Sequence, residues 1–177
     1  MAHIKLGHSR AFLLRAYPLQ THEMLFDAHW QAFRVFGGVP GRGIYDNMKT
    51  AVDRIGRGKE RQINMRFLAM TNHYVYEPEF CNPAGWEKGQ VEKNVRDARH
   101  QMLQGMPDFP DLAALNAWLE QRCLELWRQT PHGKQPGSIA DVWAEEQAAL
   151  MPLPVAFDGF IELSNPGAPR GGSAVIG

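Results

Sequence analysis

Two carboxylates stand where phosphodiester chemistry would need them. Asp46 closes the short apolar run Gly43-Ile44-Tyr45, and Glu92 falls in the first turns of a helix expected to begin near Glu87. In an open α/β sheet, functional groups gather at the carboxyl ends of strands and at the helix starts beside them. One carboxylate from a strand end and one from a helix can together hold a divalent cation through hard oxygen ligands. Such cations activate an attacking hydroxyl and stabilise a leaving oxygen in phosphodiester chemistry, two of them lying ~4 Å apart. Spacing alone leaves a plainer alternative open. An Asp after a strand commonly forms a turn by bonding its own backbone. Glu92 has Lys88 and Arg96 at i−4 and i+4, the pattern of a solvated ion-pair ladder. Against that, Glu92 directly follows Val91 and so borders the apolar stripe of its helix instead of opposing it.

The elements that must position this pair can be read along the chain. His3 to Tyr17 reads as one or two strands, since Ile4 and Leu6 alternate with polar neighbours and Ala11 to Tyr17 is a buried-strand run. Thr21 can cap a helix with Glu23 in its first turn, and Leu25, Ala28, Ala32, Phe33 and Phe36 then fall at helical spacing. Gly37-Gly38 and Pro40 end that helix. A short strand leads into Asp46-Asn47, the polar stretch Asp53 to Arg61 reads as a loop or hairpin, and a second helix over Asn64 to Tyr74 buries Phe67, Leu68 and Met70 or Thr71. A strand over Val75 to Cys81 precedes the turn Asn82 to Trp86, and Val91, Val95, Ala98 and Met102 mark one face of the third helix. The order of strands and helices predicts an α/β layout with helices packed on a sheet. Beyond Pro107 the texture is helical. Leu112, Leu115, Leu119, Cys123 and Leu126 outline one helix, and Ser138 to Leu150 outlines another capped by Ser138 and Asp141. The Gly- and Pro-rich stretch from Asn165 reads as a disordered tail.

The net charge is zero, but it is unevenly distributed. Residues 1–107 carry 15 Lys and Arg against 10 Asp and Glu, a net of +5, and residues 108–177 carry 4 against 9, a net of −5. That asymmetry suits a basic, nucleic-acid-facing part followed by an acidic helical part. Cys81 and Cys123 are isolated, and no apolar run approaches the ~20 residues of a membrane span. The start at Met1 to Arg10 has no signal-peptide core. These features predict a soluble, cytosolic protein that stays off the membrane. His22 and His29 share one helix without a third ligand, so zinc is not expected. Ser9 lacks a nucleophile elbow, and Gly37-Gly38 and Gly41-x-Gly43 form neither a P-loop nor a dinucleotide fingerprint. Trp118, Trp127 and Trp143 read as core or interface residues, while Trp86 either anchors the turn before the third helix or stacks on an unpaired base.

Three ordered strings carry a family resemblance: Phe36-Gly37-Gly38-Val39-Pro40, then Ile44-Tyr45-Asp46-Asn47-Met48-Lys49-Thr50, then Gly85-Trp86-Glu87-Lys88-Gly89-Gln90-Val91-Glu92. Together they resemble the catalytic domain of IstA-type transposases of the insertion-sequence-twenty-one family, over about His3 to Glu162. The resemblance implies an RNase H-like integrase core over residues 1–107, a helical post-catalytic segment over 108–151, and the start of a C-terminal module with its tail over 152–177. It implies a DDE-type polynucleotidyl transferase that uses Mg2+ or Mn2+, with Asp46 and Glu92 as two of three acidic ligands. Asn47, Lys49, Trp86, Lys88, Lys93 and Arg96 would then lie along the DNA path. Expected partners are double-stranded DNA (transposon ends and target), other transposase subunits and an ATP-binding helper protein from the same element.

The match has departures. In similar proteins the first aspartate sits on a first strand that precedes the segment aligning with His3, and neither Asp27 nor Asp53 substitutes for it. The amino-terminal helix-turn-helix, and the carboxy-terminal β-rich module beyond Pro152 to Phe160, find no counterpart here either. The sequence therefore reads as a core truncated at both ends, lacking its first strand and inactive alone. The alternative reading is a non-catalytic remnant that binds DNA or transposase subunits. An unrelated nuclease of the same fold ranks below both, because the acidic helical segment is present.

Overall fold

The computed structural model describes residues 1–45, 51–55, 61–80, 107–159, 161–163 and 174–176. Strands β1 (Ala2–Lys5) and β2 (Phe12–Arg15) pair antiparallel, with His3 opposite Leu14 and Lys5 opposite Phe12. Helix α1 (His22–Phe36) starts at Thr21, whose hydroxyl accepts from the Met24 N–H, and ends at Gly37 in the left-handed region, φ 82°. Its core face is Phe26, Ala28, His29, Ala32, Phe33 and Phe36. Phe26 thus occupies the place the spacing offered to Leu25, which is only partly buried.

Strand β3 (Arg42–Tyr45) is followed by the antiparallel hairpin β4 (Val52–Ile55) and β5 (Arg61–Ile63), where the sequence reads as a loop or hairpin. Helix α2 (Met65–Tyr74) is capped by Asn64 and buries Phe67, Met70, Thr71 and Tyr74. Those positions follow i, i+3, i+4 and i+7, so Leu68 lies one step off the stripe and is exposed instead of buried. The helix ends on Val75 at φ 57°. A β-branched side chain disfavours that left-handed backbone, and Val75 is 74% exposed, so packing offers nothing in return. Val75→Gly is accordingly expected to raise the unfolding free energy by ~1 kcal/mol, read as a higher urea midpoint at unchanged slope; a lower midpoint refutes it. The strand expected from Val75 begins two residues later, as β6 (Glu77–Phe80).

Helix α3 (Leu112–Gln129) starts at Asp111 and buries Asn116, Leu119, Cys123, Leu126 and Trp127. Leu112 continues this stripe into the first turn, one turn before Asn116, and is exposed there. The α3 face closes the outer edge of β2 with side chains. The Trp127 indole donates to the Phe12 carbonyl at 2.9 Å, the Leu14 N–H donates to Cys123 Sγ at 3.4 Å, and Asn116 exchanges two bonds with the Ala16 backbone at 2.7 and 3.0 Å. A helix thus serves backbone groups that a further strand would otherwise serve. Burial pushes the Cys123 thiol up to about 12, so it stays protonated beside Leu14.

Helix α4 (Ile139–Glu146) carries the capping box expected of Ser138 and Asp141 and runs into a 3-10 turn over Gln147–Ala149. Residues of α3 and α4 share one apolar cluster with β2, α1 and α2. The expectation of helices on one sheet is met differently here. The described strands form four separate two-stranded sheets, and the layout is mixed α/β with four α-helices among the described residues. Strand β7 (Ile161–Leu163) pairs with β8 (Ala174–Ile176), so Ala174-Val175-Ile176, an apolar stretch with two β-branched residues, forms a strand where the composition predicts a disordered tail. No helix among the described residues is long and apolar enough to cross a membrane.

Candidate functional site

The sheet that matters for chemistry is β3–β6. Its two strands run parallel, with Arg42 opposite Glu77 and Tyr45 opposite Phe80. Both therefore reach their carboxyl ends side by side, ~5 Å apart as parallel neighbours are. The chain enters β3 through Gly37, whose N–H reaches the Phe33 and Arg34 carbonyls, and through Val39, which exchanges backbone bonds of 2.9 and 2.8 Å with Met151. At Gly38 a Cβ would meet the Leu150 Cβ and the Met151 carbonyl at 2.7 Å, so the string Phe36 to Pro40 is a packed junction as well as a helix stop. Along β3, Arg42 and Ile44 face outward, where Arg42 pairs with Glu79 at 3.2 Å, while Gly43 and Tyr45 face the interior.

The inner face is held by a buried chain of three polar rings. His29 Nδ1 lies 2.7 Å from the Leu25 carbonyl, which can only accept, so that nitrogen carries the proton. Nε2 is then an acceptor and takes the Tyr45 hydroxyl at 2.8 Å, and the Tyr45 oxygen in turn accepts from the Tyr76 hydroxyl. Burial holds His29 down to about 4, so the ring is neutral, as this pattern requires. Burial also raises both tyrosines, Tyr76 well above the usual phenol range. Phe33 and Phe67 pack edge-on against His29 and Tyr45, with ring centroids 5.7 and 4.9 Å away. Gly43 makes room for this: a Cβ there would stand 2.9 Å from both the Tyr45 and Tyr76 rings.

Asp46 is the residue after Tyr45, and Cys81 is the residue after Phe80. The sequence-predicted site residues Asp46, Asn47, Lys49, Trp86, Lys88, Glu92, Lys93 and Arg96 all lie outside the described residues, as does the third helix. Among the described residues no group of three or more His, Cys, Asp or Glu is placed to hold a metal ion. Asp27 is fully engaged. One carboxylate oxygen accepts from the Tyr17 hydroxyl at 2.5 Å and from Arg15 Nε at 3.1 Å, and the other accepts from Gln31 at 3.1 Å. Partial burial pushes this carboxyl up, but those hydrogen bonds and the Arg15 charge outweigh it and leave it below its ordinary value. Trp127 and Trp143 pack together in the core at 5.3 Å, in keeping with their expected role.

The three-ring chain is the feature that sequence reasoning missed. Its signal was present. His29 sits four residues after Leu25 on an apolar helix, and Tyr45 and Tyr76 each lie in a run that reads as a strand. A buried histidine needs two partners. Only the fold shows that they come from β3 and from the turn before β6.

No protein-family model matches the chain. Over 163 residues, 92% of its length, the chain is 70% identical to a transposase of Aminobacter aminovorans. Over 163 residues it is 61% identical to the transposase for insertion sequences IS1326/IS1353 of Pseudomonas aeruginosa. The transposase for insertion sequence element IS21 of Pseudomonas aeruginosa is 31% identical across 89% of the chain and 44% of that relative. The chain spans 32% of the length of each of the first two.

Proposed function

This sequence is of the IS21 transposase type, and we propose that it supplies part of a metal-dependent DNA cleavage and strand-transfer centre in which Asp46 and Glu92 are two of the carboxylate ligands. The observation that carries this reading is the pairing of Tyr45 with Phe80 at the shared carboxyl edge of a parallel pair. The segments bearing Asp46 and Glu92 both leave the sheet from that edge, where open α/β sheets collect their functional groups. The parallel β3–β6 pair, joined through α2, supports an RNase H-like core over 1–107, with 108–151 as its helical continuation and 152–177 opening a further module.

Carboxylate oxygens are the donors that Mg2+ or Mn2+ prefers, so the residue types fit the ion. When bound, the metal would activate the attacking hydroxyl and stabilise the leaving oxygen. Asp46 and Glu92 would hold it, and Lys49, Lys88, Lys93 and Arg96 would neutralise phosphates along the approaching DNA, with Asn47 and Trp86 lining its path. Transposon-end and target DNA are the substrates under this reading, with other transposase subunits and an ATP-binding helper protein as partners.

Under this reading Asp46 and Glu92 work as a unit with the third carboxylate of such a centre. Groups that act as a unit are lost together. The test replaces the matched segment of the Aminobacter aminovorans transposase with this chain. The chimera should nick and join transposon ends in Mg2+, and Asp46→Asn or Glu92→Gln should each lower the rate ~1,000-fold or more. A chimera that joins DNA equally well with either carboxylate neutralised sinks the assignment. One that binds DNA but never cuts it favours the non-catalytic reading.

A further inference from the structure

We propose that His29 is a positioning residue for this centre, fixing through the Tyr45 hydroxyl where the end of β3 delivers residue 46; the proposal rests on the reading of Asp46 as a metal ligand. Three observations on the described residues carry it. Tyr45 is the last residue of β3, and its hydroxyl is bonded on both sides, to His29 Nε2 on α1 and to Tyr76 at the entry to β6. His29 cannot swing away, because Nδ1 is bonded to the Leu25 carbonyl of its own helix and the ring is enclosed. Gly43 is the residue whose missing side chain lets both tyrosine rings close over the strand. The hydroxyl relay thus ties three elements, α1, β3 and the start of β6, at the point where the chain passes into Asp46.

The network is polar where an apolar one would be simpler. Leucine and phenylalanine side chains would fill the same interior without three hydroxyl and imidazole groups to satisfy. Directional bonds specify an orientation that apolar packing leaves looser. At a strand end next to a ligand, orientation is the property that matters, because groups beyond the ligands set how those ligands are presented.

Mn2+ binding to the 177-residue chain, followed by the electron paramagnetic resonance signal of free Mn2+, tests the proposal together with thermal melting. Tyr45→Phe and His29→Leu keep apolar volume and remove two bonds each, the one between them being common to both. Both should melt within a few degrees of the parent protein yet bind Mn2+ about tenfold more weakly, the lower end of what groups behind a ligand contribute. His29→Gln returns an acceptor near the Nε2 position and should recover most of that loss. Asp46→Asn is the control for the underlying reading and should abolish the binding. If Asp46→Asn weakens Mn2+ binding while His29→Leu and Tyr45→Phe leave it unchanged, the positioning role is wrong and the ligand assignment stands. Should Asp46→Asn have no effect, both fall. Equal affinity for His29→Gln and His29→Leu also overturns the role, since it leaves packing as the whole contribution of His29.

Discussion

Trp127→Ala is expected to lower the unfolding free energy by about 4 kcal/mol, the typical cost of deleting a large buried aromatic. Trp127 is 1% exposed and packs between Phe36 and Trp143, with ring centroids 6.0 and 5.3 Å away. Its indole N–H also serves the Phe12 carbonyl, so truncation leaves an acceptor on β2 unpaired for about 1 kcal/mol more. A domain of this size has ~5–15 kcal/mol in total, so the variant should sit near its unfolding threshold at room temperature. Trp127→Phe separates the two contributions, because it retains most of the ring and loses the donor. Its expected cost is about 1–2 kcal/mol. Urea unfolding followed by far-ultraviolet circular dichroism gives both values. A Trp127→Ala loss below that of Trp127→Phe would contradict this packing.

Acid should destabilise the fold well above the carboxylate range. His29 titrates near its ordinary 6.5 when unfolded and is held down to about 4 by burial when folded. The unfolded chain therefore binds the proton first, and stability must fall as pH falls. The contribution is whole above 6.5, drains between 6.5 and about 4, and is gone below that. Each pH unit between the unfolded and folded titrations is worth about 1.4 kcal/mol, which makes the full loss roughly 3 kcal/mol. Among the described residues the titratable groups facing the ring are Tyr45 and Tyr76, both neutral here, and neither favours the charged form. Half-buried His3, lowered by burial and then by Lys5, acts in the same window. Chemical unfolding at pH 7 and at pH 4.5 should show a larger difference for the parent protein than for His29→Leu. Identical differences would show that His29 carries none of it.

Local signals and long-range ones differ in how far the chain reveals them. Thr21, Ser138 and Gly37 announce their helix ends because capping involves neighbours within a few residues. The apolar stripe of α1 is legible for the same reason, down to a one-residue exchange of Phe26 for Leu25. Leu68 misleads because it is apolar and adjacent to the stripe, and only packing decides which face a helix turns inward. The Asn116 bonds to Ala16 span a hundred residues, and no local pattern marks a buried asparagine as a strand's edge partner. Of the candidate site, the strand end and its parallel neighbour are legible, since Ile44-Tyr45 and the run before Cys81 read as strands. The relay that anchors Tyr45 is not, because each ring finds its partners in other elements.

The closure of the β2 edge by α3 also sets a timetable for synthesis. The bonds from Phe12, Leu14 and Ala16 to Trp127, Cys123 and Asn116 bridge separations of 115, 109 and 100 residues. The β1–β2 hairpin is complete long before α3 leaves the ribosome. At ~5–20 residues per second, its outer edge waits about 5–20 s with four backbone groups still without their α3 partners. That interval ends only once Trp127 has emerged.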